Sequence, residues 1–471
     1  MAEAFINSAI KKGLKLNDII EDFKYVYKNQ KIKAGDFVNY INGVAGSTTI
    51  ISTDTLLSNS SSWTGYYISA VQLDHSRILV IHSGDSTSHK LYGMVCLVTK
   101  DGITCGTDTQ LSSTAQSGLN VSAHLLSDGK IFIAHASTSY KIAYGMICSI
   151  NNLTISAESD IVIGNSNSAA EKALSVCKLS EDMFLVTHAY NSSYFYLYGV
   201  VVTIKNSTIS LGTDTSLSST KYTAHRISSQ LLSTGKVFVA HTYSSSYYLY
   251  GIVVNINGTV LSYGTDSSIV NTNVNNSDVS TCYIADDKIM ITYNNGSGNP
   301  LNGIMVQISD SSVSHGTAIT LSSTSYAGVH HRLCKLSDSR ILVIHAAESN
   351  YYLYNMVVTI GGLTITKGID TKLSSVVYSG YGLSPIFLDD RTLFLAHSAD
   401  SSGIYLYAQL WNITDTDETL SNIVTMQEYE QQVTLAIEPP FDAVALSSGI
   451  GGTDTEHNQQ VKIARPNVEV I

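Results

Sequence analysis

Six histidines recur along the chain at a constant spacing, and histidine is the side chain most often used for metal binding and for proton transfer near neutral pH. Each one ends a short apolar run, as in "KIFIAH", "KVFVAH" and "RILVIH". The positions are His82, His135, His188, His241, His345 and His397, with Tyr293 at the equivalent position between the fourth and the fifth. Successive positions lie 53, 53, 53, 52, 52 and 52 residues apart. This regularity indicates seven copies of one structural unit.

A metal centre built from these histidines is disfavoured by the geometry of a repeat. Zinc binds nitrogen ligands at about 2.0–2.1 Å around a single ion. Equivalent positions in neighbouring units should lie on the order of 10 Å apart, which is the spacing of packed sheets. We therefore expect no metal and no cofactor. The histidines are interpreted as a structural column of neutral imidazoles that bond backbone groups near a turn; a binding role is the alternative.

The elements that carry the histidines are short strands. Each unit contains four strand-like runs separated by Ser, Thr, Asn and Gly turn residues, and no helical periodicity occurs within the units. Runs such as "ILVIH" are apolar at consecutive positions, which is typical of strands buried on both faces. A four-stranded unit of about 52–53 residues repeated seven times predicts an all-β protein, a seven-bladed β-propeller with four-stranded blades.

The boundaries of the ring follow from a second signature. "GTDT.LSS" occurs after several units, at Gly106–Ser113 and Gly212–Ser219, and a related copy at Ile51–Ser58 precedes the first unit. We expect Thr48–Leu57 to pair with the last blade, because closing the ring in this way covers open sheet edges. The predicted domains are residues 1–47, the propeller at 48–422, and residues 423–471. The first segment is expected to hold a short helix, Glu3–Ile10 or longer, and strands, and the two ends to form one small β-rich domain.

Tyrosines near the ends of equivalent hairpins are the candidate ligand-binding residues. Tyr with Ser and Asn is typical of recognition surfaces, where rigid rings supply contact area and small polar groups supply hydrogen bonds. The candidates are Tyr190, Tyr194, Tyr243, Tyr247 and Tyr351. The alternative is that such tyrosines are half-buried strand residues, and this structural interpretation is favoured for the tyrosines of the "YLYG" motif: Tyr92, Tyr144, Tyr198, Tyr250, Tyr354 and Tyr407.

Evidence for catalysis is sparse in the sequence. No nucleophile elbow, zinc-protease motif, P-loop or EF-hand loop is present, and "GTDTSLSS" lacks the glycine and tryptophan of a sialidase Asp box. The pairs Asp286–Asp287 and Asp389–Asp390 are interpreted as turn residues. His330 and His331 beside Arg332 are the only clustered titratable groups outside the columns, and an active site there is not favoured. The chain is predicted not to be an enzyme.

Composition restricts the partners. The chain has 27 basic and 38 acidic residues and a formal charge of −11, so a nucleic-acid groove is not expected. Only 14% of the residues are charged, which predicts a neutral, polar surface. No apolar stretch reaches the 18 or so residues of a membrane span, so membrane insertion is not expected. The first residues also lack the pattern of a secretory signal.

The two chain ends carry a resemblance. "KIKAGDFVNYI" and "PPFDAVALSSGIGG....QQVKIARP" resemble flanking modules of tail-fibre and other virion proteins of bacteriophages, prophages and phage-tail-like particles of Gram-positive bacteria. This implies a particle component assembled in the host cytoplasm and released by lysis, attached to other particle proteins through its ends. We expect an oligomer whose propeller face binds a host surface glycan or protein. The alternatives are a head, neck or baseplate component without host binding and, less favoured, a glycan-cleaving propeller.

Overall fold

A computed structural model gives the structure of the chain. It describes residues 19–25, 31–32, 37–41, 47–50, 55–58, 67–84, 90–99, 102–112, 118–137, 142–164, 173–190, 196–218, 226–243, 248–272, 274, 278–295, 300–324, 330–347, 352–373, 382–389, 392–399, 405–414, 422–425, 443–445, 449–450 and 460–466. The chain divides into two compact units. One is Ile50–Trp411, and the other combines Met1–Thr49 with Asn412–Ile471.

Seven antiparallel sheets follow one another along the chain, and nearly all of their residues belong to the larger unit. The inner strands are Ile68–Gln72, Leu119–Leu125, Leu174–Ser180, Ile227–Leu231, Val279–Tyr283, His331–Ser337 and Leu383–Phe387. The second strands are Arg77–Gly84, Ile131–Ala136, Met183–Tyr190, Val237–Thr242, Lys288–Asn294, Arg340–Ala347 and Thr392–Ala399. The third strands are Lys90–Thr99, Ala143–Asn151, Tyr196–Lys205, Leu249–Asn257, Leu301–Ser309, Tyr352–Gly361 and Tyr405–Thr414.

The fourth, outer strand of each sheet is broken into two segments that both pair with the third strand. For the first six sheets the segments are Gly102–Cys105 and Thr109–Gln110, Thr154–Ala157 and Ile161–Ile163, Thr208–Leu211 and Thr215–Ser216, Val260–Tyr263 and Ser267–Val270, Ser312–His315 and Ile319–Ser322, and Thr364–Lys367 and Thr371–Lys372. For the seventh sheet they are Ser47–Ile50 and Thr55–Ser58.

The seven sheets form a closed ring. Each inner strand contacts the inner strand of the next sheet, and the inner strand of the seventh sheet contacts that of the first. The chain is therefore an all-β protein with a seven-bladed β-propeller of four-stranded antiparallel blades, as the repeat predicted. The sheets are called blades 1 to 7 below.

Blade 7 combines strands from the two ends of the ring. Thr55–Ser58 pairs with the third strand of blade 7, with Leu56 opposite Tyr407 and Ser58 opposite Leu406. The prediction that Thr48–Leu57 pairs with the last blade is confirmed. Without this pairing the third strand of blade 7 would expose unpaired backbone groups along its length.

The second strands show why their sequences are apolar at consecutive positions. Ile78, Leu79, Val80 and Ile81 of blade 1 are all fully buried. Ile78 and Val80 pack with Phe394 of blade 7, whereas Leu79 and Ile81 pack with residues of blade 2. Successive side chains of a strand point to opposite faces, so both faces of the blade bury apolar surface against a neighbour. Burying one such side chain contributes about 1.5–3 kcal/mol.

The glycine of the "GTDT" signature has a packing role. A Cβ atom on Gly106 would lie 2.3 Å from the carbonyl oxygen of Leu153 in the next blade. At Gly316 the corresponding distance, to the carbonyl oxygen of Leu363, is 2.1 Å. The outer strand can therefore approach the neighbouring blade only where no side chain is present.

The six cysteines fall into two groups. Cys96 and Cys105 stand opposite each other on the third and outer strands of blade 1 and form a disulfide. Two residues that face each other across an antiparallel pair are close enough for this bond. Cys148, Cys177, Cys282 and Cys334 are free and buried.

The smaller unit contains only strands among its described residues. These are Ile19–Tyr25, Lys31–Ile32, Phe37–Ile41, Asn422–Thr425, Ala443–Ala445, Gly449–Ile450 and Gln460–Pro466. Ile19–Tyr25 pairs with Gln460–Pro466, which joins the first and last parts of the chain. The predicted helix at Glu3–Ile10 lies outside the described residues. The small domain formed by the two ends and its attachment role stay predictions.

A helix that is long and apolar enough to cross a membrane is absent from the described part of the chain.

Candidate functional site

The repeated histidines are fully buried and bonded to aspartates. The Nε2 atom donates to a carboxylate oxygen in the same blade in five cases: His82–Asp108 at 3.0 Å, His135–Asp160 at 3.0 Å, His188–Asp214 at 3.1 Å, His241–Asp266 at 2.9 Å and His345–Asp370 at 2.8 Å. The aspartate position of blade 7, Asp54, lies outside the described residues. The aspartates belong to the "GTDT" signature and its variants, so the sequence contained both partners without showing that they meet.

The second ring nitrogen of several histidines faces the backbone. The Nδ1 atoms of His82 and His188 lie 3.0 Å from the carbonyl oxygens of Ser83 and Ala189. The backbone contact predicted for the column is therefore present at these residues. Both ring nitrogens of His82 and His188 therefore have a polar neighbour, the aspartate at Nε2 and the backbone carbonyl at Nδ1.

Three of the aspartates also link their blade to the preceding one. Ser58 of blade 7 donates to Asp108 of blade 1 at 2.6 Å, and Ser218 of blade 3 donates to Asp266 of blade 4 at 2.8 Å. Ser112 makes the same bond to Asp160. We call a histidine and an aspartate of one blade with the serine of the preceding blade a His–Asp–Ser chain.

The order of groups in these chains bears on catalysis. In a hydrolytic triad the imidazole lies between the carboxylate and the hydroxyl and removes the proton of the hydroxyl. In the His–Asp–Ser chain the carboxylate lies in the middle, and the hydroxyl donates to it. A serine held in this way is not activated as a nucleophile, so the chains join blades.

Two blade boundaries depart from the pattern. Gly164 replaces the serine between blades 2 and 3, and its Cβ atom would lie 2.9 Å from Nε2 of His188. Between blades 4 and 5 all three groups change together, because Tyr293, Ala318 and Val270 replace the histidine, the aspartate and the serine. Tyr293 is 1% exposed and lies in one apolar cluster with Val270. The fifth unit therefore differs from the others in its buried core.

Acid is expected to weaken the His–Asp–Ser chains. Burial raises the pKa of Asp266, but the hydrogen bond and charge of His241 and the hydrogen bond from Ser218 lower it by more, so the pKa lies below the ordinary value of 3.8. The pKa of Asp370 is lowered in the same way by His345. A carboxylate with a lowered folded-state pKa stabilises the fold above its unfolded pKa and loses that contribution as the pH falls through the folded value. The urea concentration at the midpoint of unfolding should therefore decrease once the pH is lowered below about 4. A midpoint concentration that stays constant from neutral pH to about pH 3 would contradict this.

The tyrosines of the "YLYG" motif stack on the histidines. The ring centroids of His345 and Tyr354 lie 5.5 Å apart, and those of His82 and Tyr92 lie 5.9 Å apart. The motif tyrosines of three further blades stack in the same way on His135, His241 and His397, and Tyr198 packs against His188 at a tilt of 37°. These tyrosines lie on the third strands and are half-buried, apart from Tyr354, which is buried, so they are placed as the structural interpretation expected.

Of the five candidate ligand-binding tyrosines, the structure describes two. Tyr190 and Tyr243 are half-buried and pack against Tyr198 and Tyr250, with centroid distances of 4.5 Å and 5.9 Å. Tyr194, Tyr247 and Tyr351 lie outside the described residues. The two described rings thus cover the motif tyrosines at the same end of blades 3 and 4, and each leaves part of its surface in solvent.

A cavity of about 360 Å³ opens where the inner strands begin, at the centre of the ring. Ile68 stands opposite His82 and Leu174 opposite His188, so this cavity lies at the histidine end of the blades, where Tyr190 is also found. One residue per blade, always 15 positions before the aligned histidine, lines it: Tyr67, Asn120, Ala173, Arg226, Asp278, His330 and Gly382. This column is the most varied of those described.

A second column explains the position of Arg332. The residue 13 positions before the aligned histidine is serine in six blades, and Arg332 takes its place in blade 6. Where serine is present it holds neighbouring blades together, since Ser69 accepts a hydrogen bond from the backbone N–H of Ala123 at 3.0 Å. Ser384 accepts from Ala70 in the same way at 2.8 Å. Blade 6 therefore has no serine hydroxyl at this position to bond the neighbouring blade, because Arg332 replaces the serine.

The charged residues of the cavity meet around Asp278. Its Oδ2 atom lies 3.1 Å from Nη1 of Arg332 and 3.8 Å from Nδ1 of His330. Burial raises the pKa of Asp278, but the hydrogen bond from His330 and the charges of Arg332, His330 and His331 lower it by more, so its net pKa lies below the usual range. The side chains of Asp278 and Arg332 are 30% and 40% exposed. Solvent therefore reaches this cluster.

The sequence indicates only part of this cluster. His330, His331 and Arg332 stand out because they are adjacent, but a site there was not favoured, and His331 donates to the carbonyl oxygen of Thr292 at 3.1 Å, away from the cavity. Arg226 and Asp278 were not predicted. The repeat spacing could have identified them, since Arg226, Asp278 and His330 follow one another at intervals of 52 residues.

A metal centre finds no support in the geometry. The histidines of the column each serve a different blade, and no group of three or more metal-ligating side chains occurs among the residues that the structure describes.

Comparisons with known proteins identify similar structures but no family. No family model matches the chain, and no curated protein does. A protein of unknown function from Dyadobacter fermentans is 11% identical, with a TM-score of 0.44 over 84% of this chain and 100% of its own. A fucose-recognising six-bladed propeller lectin from Aleuria aurantia is 12% identical, with a TM-score of 0.39 over 66% of this chain and 98% of its own. A polysaccharide lyase is 8% identical, with a TM-score of 0.44 over 83% of this chain and 100% of its own. Similarity at this level supports no conclusion about function.

Proposed function

We propose that this protein is a non-enzymatic binding module that holds a carbohydrate at the histidine end of the propeller. The observation that carries the proposal is the central cavity, where side chains that depart from the repeat converge. A group present in every blade serves every blade, whereas Arg226, Asp278, His330 and Arg332 occur once each. Small-molecule sites usually have volumes of roughly 300–1000 Å³. The central cavity, at about 360 Å³, falls within this range.

The chemistry of the cavity suits a sugar. Serine, asparagine and tyrosine side chains line it together with the charged cluster, and together they offer both donors and acceptors to hydroxyl groups. The half-buried rings of Tyr190 and Tyr243 lie at the same end of the propeller and add amphipathic contact area. Only 14% of the residues are charged, and a neutral, polar surface is compatible with binding a polar ligand such as a sugar.

The state of Asp278 argues against glycan cleavage. A general acid needs a raised pKa so that it holds a proton near neutral pH. Asp278 has a lowered pKa, and it is the only carboxylate among the described residues that line the cavity. The described lining residues therefore do not include the pair of carboxylates that glycoside hydrolysis ordinarily uses.

We further propose that the protein is a component of a phage or phage-tail-like particle, in which the propeller binds the surface of a Gram-positive host. The resemblance of the two chain ends to virion flanking modules supports this assignment. Immunogold electron microscopy with antibody to the whole chain is the test. Label at the tail tip or fibres is expected; label on the head or neck would instead favour the decoration role, and particles without label would exclude a virion protein.

Replacing Tyr243 with serine is expected to weaken binding of the purified chain to Gram-positive cell walls by roughly 10-fold, because truncating an aromatic contact in an interface commonly costs more than about 1 kcal/mol. Tyr263→Ser is the matched control, since Tyr263 lies on the outer strand of the same blade and is 43% exposed. Binding is measured by sedimentation with purified walls and with a panel of immobilised polysaccharides. If Tyr243→Ser and Tyr263→Ser lose the same amount of binding affinity, Tyr243 has no specific role in binding. If the unmodified chain binds no glycan, the proposed function is wrong.

A further inference from the structure

Among the residues that the structure describes, the charged side chains of the central cavity are mostly cationic. The formal charge of the chain is −11, yet these lining residues are Arg226, Arg332 and one carboxylate, Asp278, with His330 beside them. Burial raises the pKa of Asp278, but the hydrogen bond from His330 and the charge of Arg332 lower it by more. Clefts with walls of low dielectric concentrate such a field.

The blade structure does not require a cation at the positions of Arg226 and Arg332. Blade 3 has Ala173 in the column of Arg226, and six blades have serine in the column of Arg332. In other blades small side chains occupy the same positions, so an arginine is not needed there to build the blade. Arg332 in addition keeps 40% of its side chain exposed while it contacts Asp278, so an incoming group can reach the guanidinium.

From these observations we propose that the cavity recognises an anionic group, a carboxylate or a phosphate carried by a glycan, through Arg226 and Arg332, and this rests on the proposed function. A guanidinium presents a planar set of donors that matches the oxygens of both anions. Asp278 holds Arg332 in place from the neighbouring blade at 3.1 Å and leaves the cluster with an excess of positive charge. His330, at the rim of the same cavity, adds a third hydrogen-bond donor for this anion.

The test uses the full chain and three defined polymers: polygalacturonate for the carboxylate, a lipid-free glycerol-phosphate teichoic acid for the phosphate, and dextran as the neutral polymer. The variants are Arg332→Ser and Arg226→Ala, which install residues that other blades carry in the same columns. Lys205→Ser is the matched control, because it removes one positive charge from an exposed position at the opposite end of a third strand. Thermal unfolding of each variant verifies that the fold is kept.

We expect at least one acidic polymer to bind more tightly than dextran, and each cavity variant to weaken that binding by about 10-fold or more while Lys205→Ser changes it little. Which acidic polymer binds identifies the anion. Asp278→Asn, which removes the only carboxylate among the described cavity residues, is expected to keep or tighten binding; a purely structural ion pair predicts lost binding together with lost stability.

Two results would overturn the proposal, and they differ in what they leave standing. If the chain binds dextran or another neutral glycan as tightly as the acidic polymers, or if the cavity variants bind acidic polymers as the unmodified chain does, the anion site is wrong and the glycan-binding function stands. If no polysaccharide binds at all, both are wrong.

Discussion

Replacing Asp266 with alanine is expected to lower the free energy of unfolding by about 3 kcal/mol, because the change removes a charged partner from a buried imidazole and from a serine of the preceding blade. His241 is fully buried, and its Nε2 atom lies 2.9 Å from Asp266, which also accepts from Ser218 at 2.8 Å. Hydrogen bonds to charged groups contribute about 1.5–3 kcal/mol each, and a donor left buried without an acceptor adds a desolvation cost. Urea unfolding followed by tryptophan fluorescence or circular dichroism measures the difference.

The control for this variant is Asp338→Ala. Asp338 is 76% exposed and forms a surface ion pair with Lys335. Loss of such an exposed pair should change stability by less than about 1 kcal/mol. A loss at Asp266 no larger than that of the control would show that the His–Asp–Ser chains do not hold the blades together. Asp266→Asn should fall between the two, because an amide oxygen still accepts from the ring while the charge is gone.

The propeller could be predicted from the sequence because its determinants are local and repeated. Continuous apolar runs such as Ile78–Ile81 show that both faces of a strand are buried, and the spacing of 52–53 residues counts the blades. Ring closure was also predictable, since the unpartnered copy of the outer-strand signature before blade 1 needed a place to pair. It pairs with Tyr405–Thr414 of blade 7.

The contacts between units were harder to predict. His82 meets Asp108, which lies 26 residues later, and Asp108 meets Ser58, which lies 50 residues earlier. Each motif was visible, but periodicity within one unit does not state which side chains of neighbouring units point at each other. The central cluster was missed for the same reason: only its adjacent members, His330 and Arg332, stand out in a linear reading, whereas Asp278 joins them through the convergence of inner strands on the axis.

The boundary between blades 4 and 5 offers a reverse test of the same contacts. Tyr293 is 1% exposed. Tyr293→His is expected to cost about 3 kcal/mol, because it shrinks this buried side chain and buries an imidazole without a carboxylate. Ala318 occupies the aspartate position and is exposed, and Val270 occupies the serine position. The substitutions Ala318→Asp and Val270→Ser would therefore rebuild a complete His–Asp–Ser chain at this boundary.

The informative comparison is the triple variant Val270→Ser, Tyr293→His, Ala318→Asp against the double variant that lacks the aspartate. We expect the added aspartate to return at least about 1.5 kcal/mol in the presence of the new histidine. Placed alone in the unmodified chain, Ala318→Asp should change stability by less than about 0.5 kcal/mol, because the position is exposed and Tyr293 offers it no cation. The difference between the stability changes that Ala318→Asp causes in the two backgrounds measures how strongly the aspartate is coupled to the new histidine and serine together. Equal effects in both backgrounds would mean that the histidine and the aspartate stabilise the blades independently, and that the simultaneous change of all three residues at this boundary has another cause.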